Sequence, residues 1–209
     1  MKVLLVNGSP HKKGCIDMGL SVVAEILMQE GIDTEIFHIG TKPISGCMFC
    51  GKCIERKECV INDVVNKFIE KARTADSFIF GAPVYYASMN GAMSAFMDRA
   101  FFAGNNDTSL MRLKPAACIV NARRAGNTVT FDQMNRYLEM SEMPVISSTY
   151  WNMTHGFTPE DVVQDLEGIQ TLKNLGKNMA YFLKCKEAGE KAGIKQPEVP
   201  EAVRTHFIR

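Results

Sequence analysis

The sequence has no long hydrophobic run. No stretch approaches the roughly eighteen apolar residues that a membrane span requires, so no transmembrane segment and no membrane partner is expected. It also has no excess of one charge. Lysine and arginine total 24, aspartate and glutamate 23, and the net charge is +1. That balance argues against a nucleic-acid-coating protein and against a membrane-surface one. The opening residues Met1 to Val6 meet Asn7 and Gly8 too early for the apolar core of a signal peptide. The expected compartment is therefore the cytoplasm. Seven cysteines in 209 residues are too few for a disulfide scaffold, which a reducing cytosol would oppose in any case.

What is present is ordinary globular composition, 46% hydrophobic and 22% charged. At about 150 residues per domain, the length suits one domain with extensions. No repeat, low-complexity tract or linker interrupts residues 1–185, which read as one unit. Residues 186–209, polar and basic with Pro197 and Pro200, read as a C-terminal tail.

Short apolar runs alternate with amphipathic stretches. Val3 to Val6, Thr34 to Ile39, Ser77 to Pro83, Ala116 to Val120 and Val145 to Tyr150 read as strands. Helical spacing follows from about Asp17, after Asn62 as a candidate N-cap, through Met89 to Phe101, and near Thr130 and Gln133 as a candidate capping box. A last long helix opens at Thr158-Pro159 and ends near Cys185. Five strands alternating with five helices imply a doubly wound parallel α/β sheet with helices on both faces, in the order 2-1-3-4-5. Such sheets bind ligands beyond the carboxyl ends of their strands, near the point where the order reverses.

Three loops fall at that edge. The first, Asn7 to Cys15, carries Ser9, His11, Lys12, Lys13 and Gly14 ahead of a helix N-terminus, a setting for a phosphate or for a plain solvated turn. It is not G-x-G-x-x-G, which favours a mononucleotide over a dinucleotide. The second, Gly81 to Gly91, contains Pro83, Val84, Tyr85, Tyr86, Asn90 and Gly91, suited to a flat aromatic ring. The third, Asn121 to Gly126, brings Ala122, Arg123 and Arg124 to the same rim.

These loops together resemble the flavodoxin-like NADPH-dependent FMN reductase family over roughly residues 1–185. The resemblance implies a flavodoxin-like fold with FMN as cofactor. Its phosphate would lie on the first loop, with Ser9, His11, Lys12, Gly14, Cys15, Ile16 and Asp17. Its ring would lie against Pro83 to Tyr86, Asn90, Gly91, Ala122, Arg123, Arg124 and Gly126. The chain departs from the family pattern at the end of the first loop. Relatives place Asn and a Thr or Ser there, whereas this chain has Cys15, Ile16 and Asp17. A hydroxyl donor is missing, and a carboxylate faces the phosphate unless it turns away.

Four of the seven cysteines form Cys47-x2-Cys50-x2-Cys53-x5-Cys59. Gly46 and Gly51 give the backbone freedom for the thiols to converge on one small centre. Structural zinc usually takes two separated Cys pairs, and two-cluster ferredoxins send their fourth Cys elsewhere. In a chain of this kind the spacing resembles the iron–sulfur flavoproteins, which implies a [4Fe–4S] cluster on these four residues. Zinc and a metal-free thiol loop are the alternatives. Cys118 and Cys185 read as packing residues, His38 as a locally bonded side chain, and the thirteen methionines as core filler. Trp151, Asn152 and His155 read either as a flavin border or as packing under the last helix.

The resemblance implies an FMN-dependent oxidoreductase that passes electrons from NAD(P)H or a reduced ferredoxin to a small-molecule acceptor such as a quinone. Flavin N5 is the reactive atom, so no side chain is assigned as catalytic. A cluster-free NAD(P)H:FMN or quinone reductase is the alternative. A flavodoxin-like electron carrier fits the neutral charge poorly, and a cofactor-free interaction module leaves the flat-ring loops unexplained. Relatives assemble, so a homodimer or homotetramer is expected.

Overall fold

Val3, Leu4, Leu5 and Val6 are fully buried, and alternation divides them between two cores. They form the centre of β1 (Lys2–Asn7), in a computed structural model that describes residues 1–199, 201, 203 and 205–207. β2 (Asp33–His38) and β3 (Ser77–Tyr85) flank β1, both parallel to it. β4 (Ser88–Met89) folds back antiparallel on the end of β3. β5 (Ala116–Ala122) and β6 (Met153–His155) complete the sheet, in the order β2-β1-β3-β5-β6. The parallel strands follow the expected succession, and the short β4 is an addition to it.

Helices cover both faces. Leu4, Val6, Phe78, Phe80 and Val120 pack against α3 (Val64–Ala72), α4 (Gly91–Asn105) and α5 (Asn127–Met140). Phe68 lies at the centre of this side, its ring 5.2 Å from Phe96 and 6.0 Å from Phe37, Phe78 and Phe80. Val3, Leu5, Ile79 and Ile119 pack against α1 (Cys15–Gln29) and α7 (Leu166–Lys191). Two shorter helices are α2 (Cys53–Arg56), in the loop after β2, and α6 (Pro159–Gln164), after β6. No helix among the described residues is long and apolar enough to cross a membrane.

Several sequence expectations need correction. The fifth strand is Met153–His155 rather than Val145 to Tyr150, where Val145 makes only a single bridge to Ala116. Asp63, not Asn62, caps α3, its carboxylate accepting from Val65 N–H at 3.0 Å. Thr130 lies inside α5, bonding back to the Gly126 carbonyl at 2.9 Å, and Gln133 serves β4 instead of a capping box. The helix opened by Thr158 stops at Gln164, and α7 begins afresh at Leu166 and runs on to Lys191, beyond Cys185. Of the expected tail 186–209, residues 200, 202, 204, 208 and 209 lie outside the described residues.

Candidate functional site

The carboxyl ends of β1, β3 and β5 open on one cleft of about 270 Å³. Its walls bring together Ser9, His11, Cys15 and Ile16 from the first loop, Pro83, Val84 and Tyr85 from the second, and Ala122 and Arg123 from the third. Asn121, Gly156 and Phe157 also line it, and sequence reasoning missed all three. Asn121 could have been found as a polar residue closing an apolar strand; Gly156 and Phe157 carry no comparable signal.

The first loop is held from below. Gly8 N–H donates to the Gly81 carbonyl at 2.8 Å, and Asn90 Nδ2 donates to the Gly8 carbonyl at 3.0 Å. A Cβ at Gly8 would lie 2.5 Å from Met93 Sδ, so only glycine lets the loop rest this closely on α4. Ser9 N–H donates to Asn7 Oδ1 at 3.0 Å, His11 N–H donates to Ser9 Oγ at 3.1 Å, and His38 Nε2 lies 2.8 Å from the Ser9 carbonyl. His38 is thus hydrogen-bonded, to the loop after the neighbouring strand rather than within its own segment as expected.

Gly14 caps α1 without a side-chain bond, leaving the helix's first N–H groups and the positive end of its dipole at the cleft. Asp17 does not face that opening. It is buried, held by Lys13 Nζ at 3.1 Å and near Asn7 Nδ2 at 3.5 Å. Burial pushes the Cys15 thiol above the usual range, and the nearby Asp161 and Glu160 add to that. It is therefore a neutral group, with Sγ 3.8 Å from the Gly156 carbonyl.

The second loop turns through Tyr86 and Ala87, both left-handed with φ of 52° and 57°. Non-glycine residues rarely hold this conformation, at a cost of about 1–3 kcal/mol each, and neighbours fix it here. Gln133 Oε1 accepts from Ser88 Oγ at 2.7 Å and from Met89 N–H at 3.1 Å. Gly126, at φ 95°, fits so closely that a Cβ would meet Val84 Cγ1 at 2.8 Å and Ala87 Cα at 2.9 Å. The third loop thus braces the second.

This bracing explains which expected ring contacts are absent from the cleft. The turn throws Tyr86 fully into solvent, and Asn90 is drawn inward to the Gly8 carbonyl with its Oδ1 left unpartnered. Gly91 opens α4 on the surface, Gly126 supports the hairpin from behind, and Arg124 is exposed outside the walls. Lys12 and Gly14 also lie off the walls, Lys12 in solvent with its carbonyl accepting from Asn7 Nδ2 at 3.3 Å. Trp151 is exposed against Tyr150, and His155 turns to Asp165, so neither borders the cleft.

A second cavity, much tighter at about 20 Å³, lies in the loop after β2. Cys47, Cys50, Cys53 and Cys59 all line it, with Gly46, Met48 and Gly51 from the same loop and Arg99, Phe102 and Ala103 from α4. Cys47 and Cys50 are exposed, Cys59 is half-buried and Cys53 is buried. Burial pushes the Cys53 thiol up, and the neighbouring Cys47, Cys50 and Cys59 push it further. Arg99 is 2% exposed although charged. Burial works against its charge, but hydrogen bonds to Asp63 and Cys59 outweigh that, and its pKa rises. Among the described residues, no group of three His, Cys, Asp or Glu side chains is arranged to hold a single metal ion. Cys118 is fully buried in β5, and burial raises its thiol far above the usual range. Cys185 is exposed on α7.

The model of the NADPH-dependent FMN reductase family matches residues 1–158. The chain belongs to that family. As a member it is a flavin-dependent oxidoreductase. An iron-sulfur flavoprotein of Methanocaldococcus jannaschii is 28% identical over 189 residues, covering 88% of this chain and 98% of its own. One of Methanosarcina thermophila is 26% identical over 184 residues, covering 88% and 95%. The crystal structure of RosB with bound 8-demethyl-8-formylriboflavin-5'-phosphate shares the fold, with a TM-score of 0.69 at 14% identity over 100% of this chain and 92% of that one.

FMN, the flavin of this family, fits the cleft by its chemistry. The uncapped start of α1 and the Ser9 hydroxyl suit a phosphate. Pro83, Val84, Tyr85, Ala122, Arg123 and Phe157 line the rest of the cleft, a mostly apolar lining suited to a flat ring.

Proposed function

We propose that this family member is an iron–sulfur flavoprotein, carrying FMN in the cleft and a [4Fe–4S] cluster on Cys47, Cys50, Cys53 and Cys59. It passes electrons from NAD(P)H or a reduced ferredoxin to a small-molecule acceptor. When bound, FMN supplies hydride and single-electron chemistry at its ring, and a cluster takes up or releases one electron at a time.

The observation that carries this reading is that all four thiols of the loop after β2 border one cavity, the number of thiolates that a [4Fe–4S] cluster takes. The relatives named iron-sulfur flavoprotein support it. The side chains have separate tasks. Ser9 and the α1 N-terminus bind phosphate, Pro83 to Tyr85 orient the ring, and Arg123 offers positive charge. The protein works in the cytoplasm as a homodimer or homotetramer, which the exposed Tyr86, Phe157 and Phe49 near the two sites support. A monomeric mass by light scattering would reject the assembly.

Metal and flavin analysis after anaerobic reconstitution tests the whole reading. About four iron, four sulfide and one FMN per chain are expected. One zinc without iron would overturn the cluster, and folded protein that takes up no FMN would overturn the cleft.

A further inference from the structure

Arg99 is among the largest fully buried side chains in the molecule, and it stands at the cysteine cavity. A buried guanidinium without partners would be costly, so its contacts show what it is for. Two of its nitrogens, Nε and Nη2, each lie 3.2 Å from Cys59 Sγ. Nη1 and Nη2 form a two-pronged pair with Asp63 at 2.6 and 3.0 Å. Nη2 also donates to the Ile61 carbonyl at 2.9 Å, and Nη1 to the Ser45 carbonyl at 3.4 Å. Ser45 precedes the cysteine loop, and Ile61 and Asp63 follow it. One side chain on a rigid helix therefore ties both ends of the loop together. Cys59 receives both N–H groups and is also the cysteine separated from the other three by the longer gap.

We infer that Arg99 is the positioning residue of the cysteine centre, holding Cys59 in place as the fourth ligand and setting the centre's reduction potential through two N–H···S bonds and a buried positive charge. This rests on the iron–sulfur reading. The planar fork is what the geometry uses, because it reaches Cys59, Asp63 and two carbonyls at once, which an ammonium cannot do. Reduction adds negative charge to a cluster, so a nearby cation and hydrogen bonds to sulfur favour the reduced form and raise the potential. Asp63 lowers the cost of burying the cation and partly offsets its effect.

Potentiometric titration of the reconstituted protein, with iron counted alongside, tests this. Removing Arg99 alone strands Asp63, so the informative variant is Arg99→Gln with Asp63→Asn, which removes both charges and keeps an N-cap for α3. Its midpoint potential should fall below that of the native protein, and iron should drop below four per chain as Cys59 comes loose. Arg99→Lys keeps the charge beside Asp63 and so folds even if the double variant does not. It should show a smaller shift in the same direction and partial recovery of iron. Native potential and native iron content in the double variant, or in Arg99→Lys if the double variant does not fold, would overturn the inference. Native protein that takes up no iron would instead overturn the iron–sulfur reading itself, whatever the variants do.

Discussion

Cys15 sits at the start of α1 on the cleft wall, its thiol directed at the Gly156 carbonyl. A thiolate at the start of α1 would repel a phosphate, but burial, with Asp161 and Glu160 nearby, raises the thiol's pKa and keeps it neutral. The folded protein therefore holds this proton to higher pH than an unfolded chain does. The associated stability is complete below the ordinary thiol pKa of about 8.5 and is lost as pH rises past it. FMN affinity should accordingly hold through neutral pH and weaken in the alkaline range. Cys15→Ser should remove that alkaline limb and, by supplying a stronger donor worth about 1 kcal/mol, tighten FMN by about fivefold. Fluorescence titrations of FMN across pH check both. An alkaline limb that persists in the serine variant would show that another group sets it. Asp17 posed the opposite question in the sequence, since a carboxylate in a phosphate loop reads as a repulsion. Its inward turn to Lys13 and Asn7 depends on helix phase and on neighbours that no local pattern reveals.

Among the elements, the buried parallel strands were the most legible. β1 and β3 are covered on both faces, so their apolar runs are unbroken and could belong to little else. β6 was misplaced because it is an edge. From Ala116 to Val120 β5 advances four residues while its partner advances eight, from Val145 to Met153, so the intervening chain must loop out. Val145 and Ile146 supplied the apolar signal and Met153–His155 supplied the strand. The break between α6 and α7 was illegible for a related reason. Asp165 looks like one more polar residue on a helix face, yet its carboxylate caps α7 through Gly168 N–H at 2.9 Å and accepts from His155 N–H at 2.8 Å. That pair ties α7 to the strand leading into Gly156 and Phe157, two walls of the flavin cleft. Asp165→Ala should lower the unfolding free energy by about 1–2 kcal/mol in urea titrations and weaken FMN binding as well. Loss of stability with unchanged FMN affinity would mean that the cap serves the helix alone.

At the scale of the whole molecule, the two cavities share no residue. The flavin cleft is built from strand ends, α1 and the segment after β6, and the cysteine cavity from the loop after β2 and one face of α4. This separation was partly legible, since the three cleft loops and the cysteine spacing occupy different stretches of sequence. Arg99 was not legible, because a lone arginine amid apolar helix residues reads as a surface charge until its tertiary partners are known. α4 touches both sites: Met93, in its first turn, packs under Gly8 of the flavin loop, and Arg99 further along grips Cys59. The architecture therefore predicts independent loading within one chain. Cys53 is the buried thiol of the four, opening α2, and Cys53→Ala removes a single sulfur from a cavity wall. The cost in stability should be about 1 kcal/mol, because one small buried group is lost. Iron uptake should collapse while FMN binds with native affinity, as read by metal analysis and flavin fluorescence on the same sample. If FMN is lost together with iron, the two sites are not independent. The direct explanation would then be that the cysteine loop of one subunit completes the flavin cleft of another. Circular dichroism beside light scattering would separate that outcome from simple unfolding: a folded variant of smaller mass would have lost its neighbour, whereas loss of the helical signal would mean unfolding.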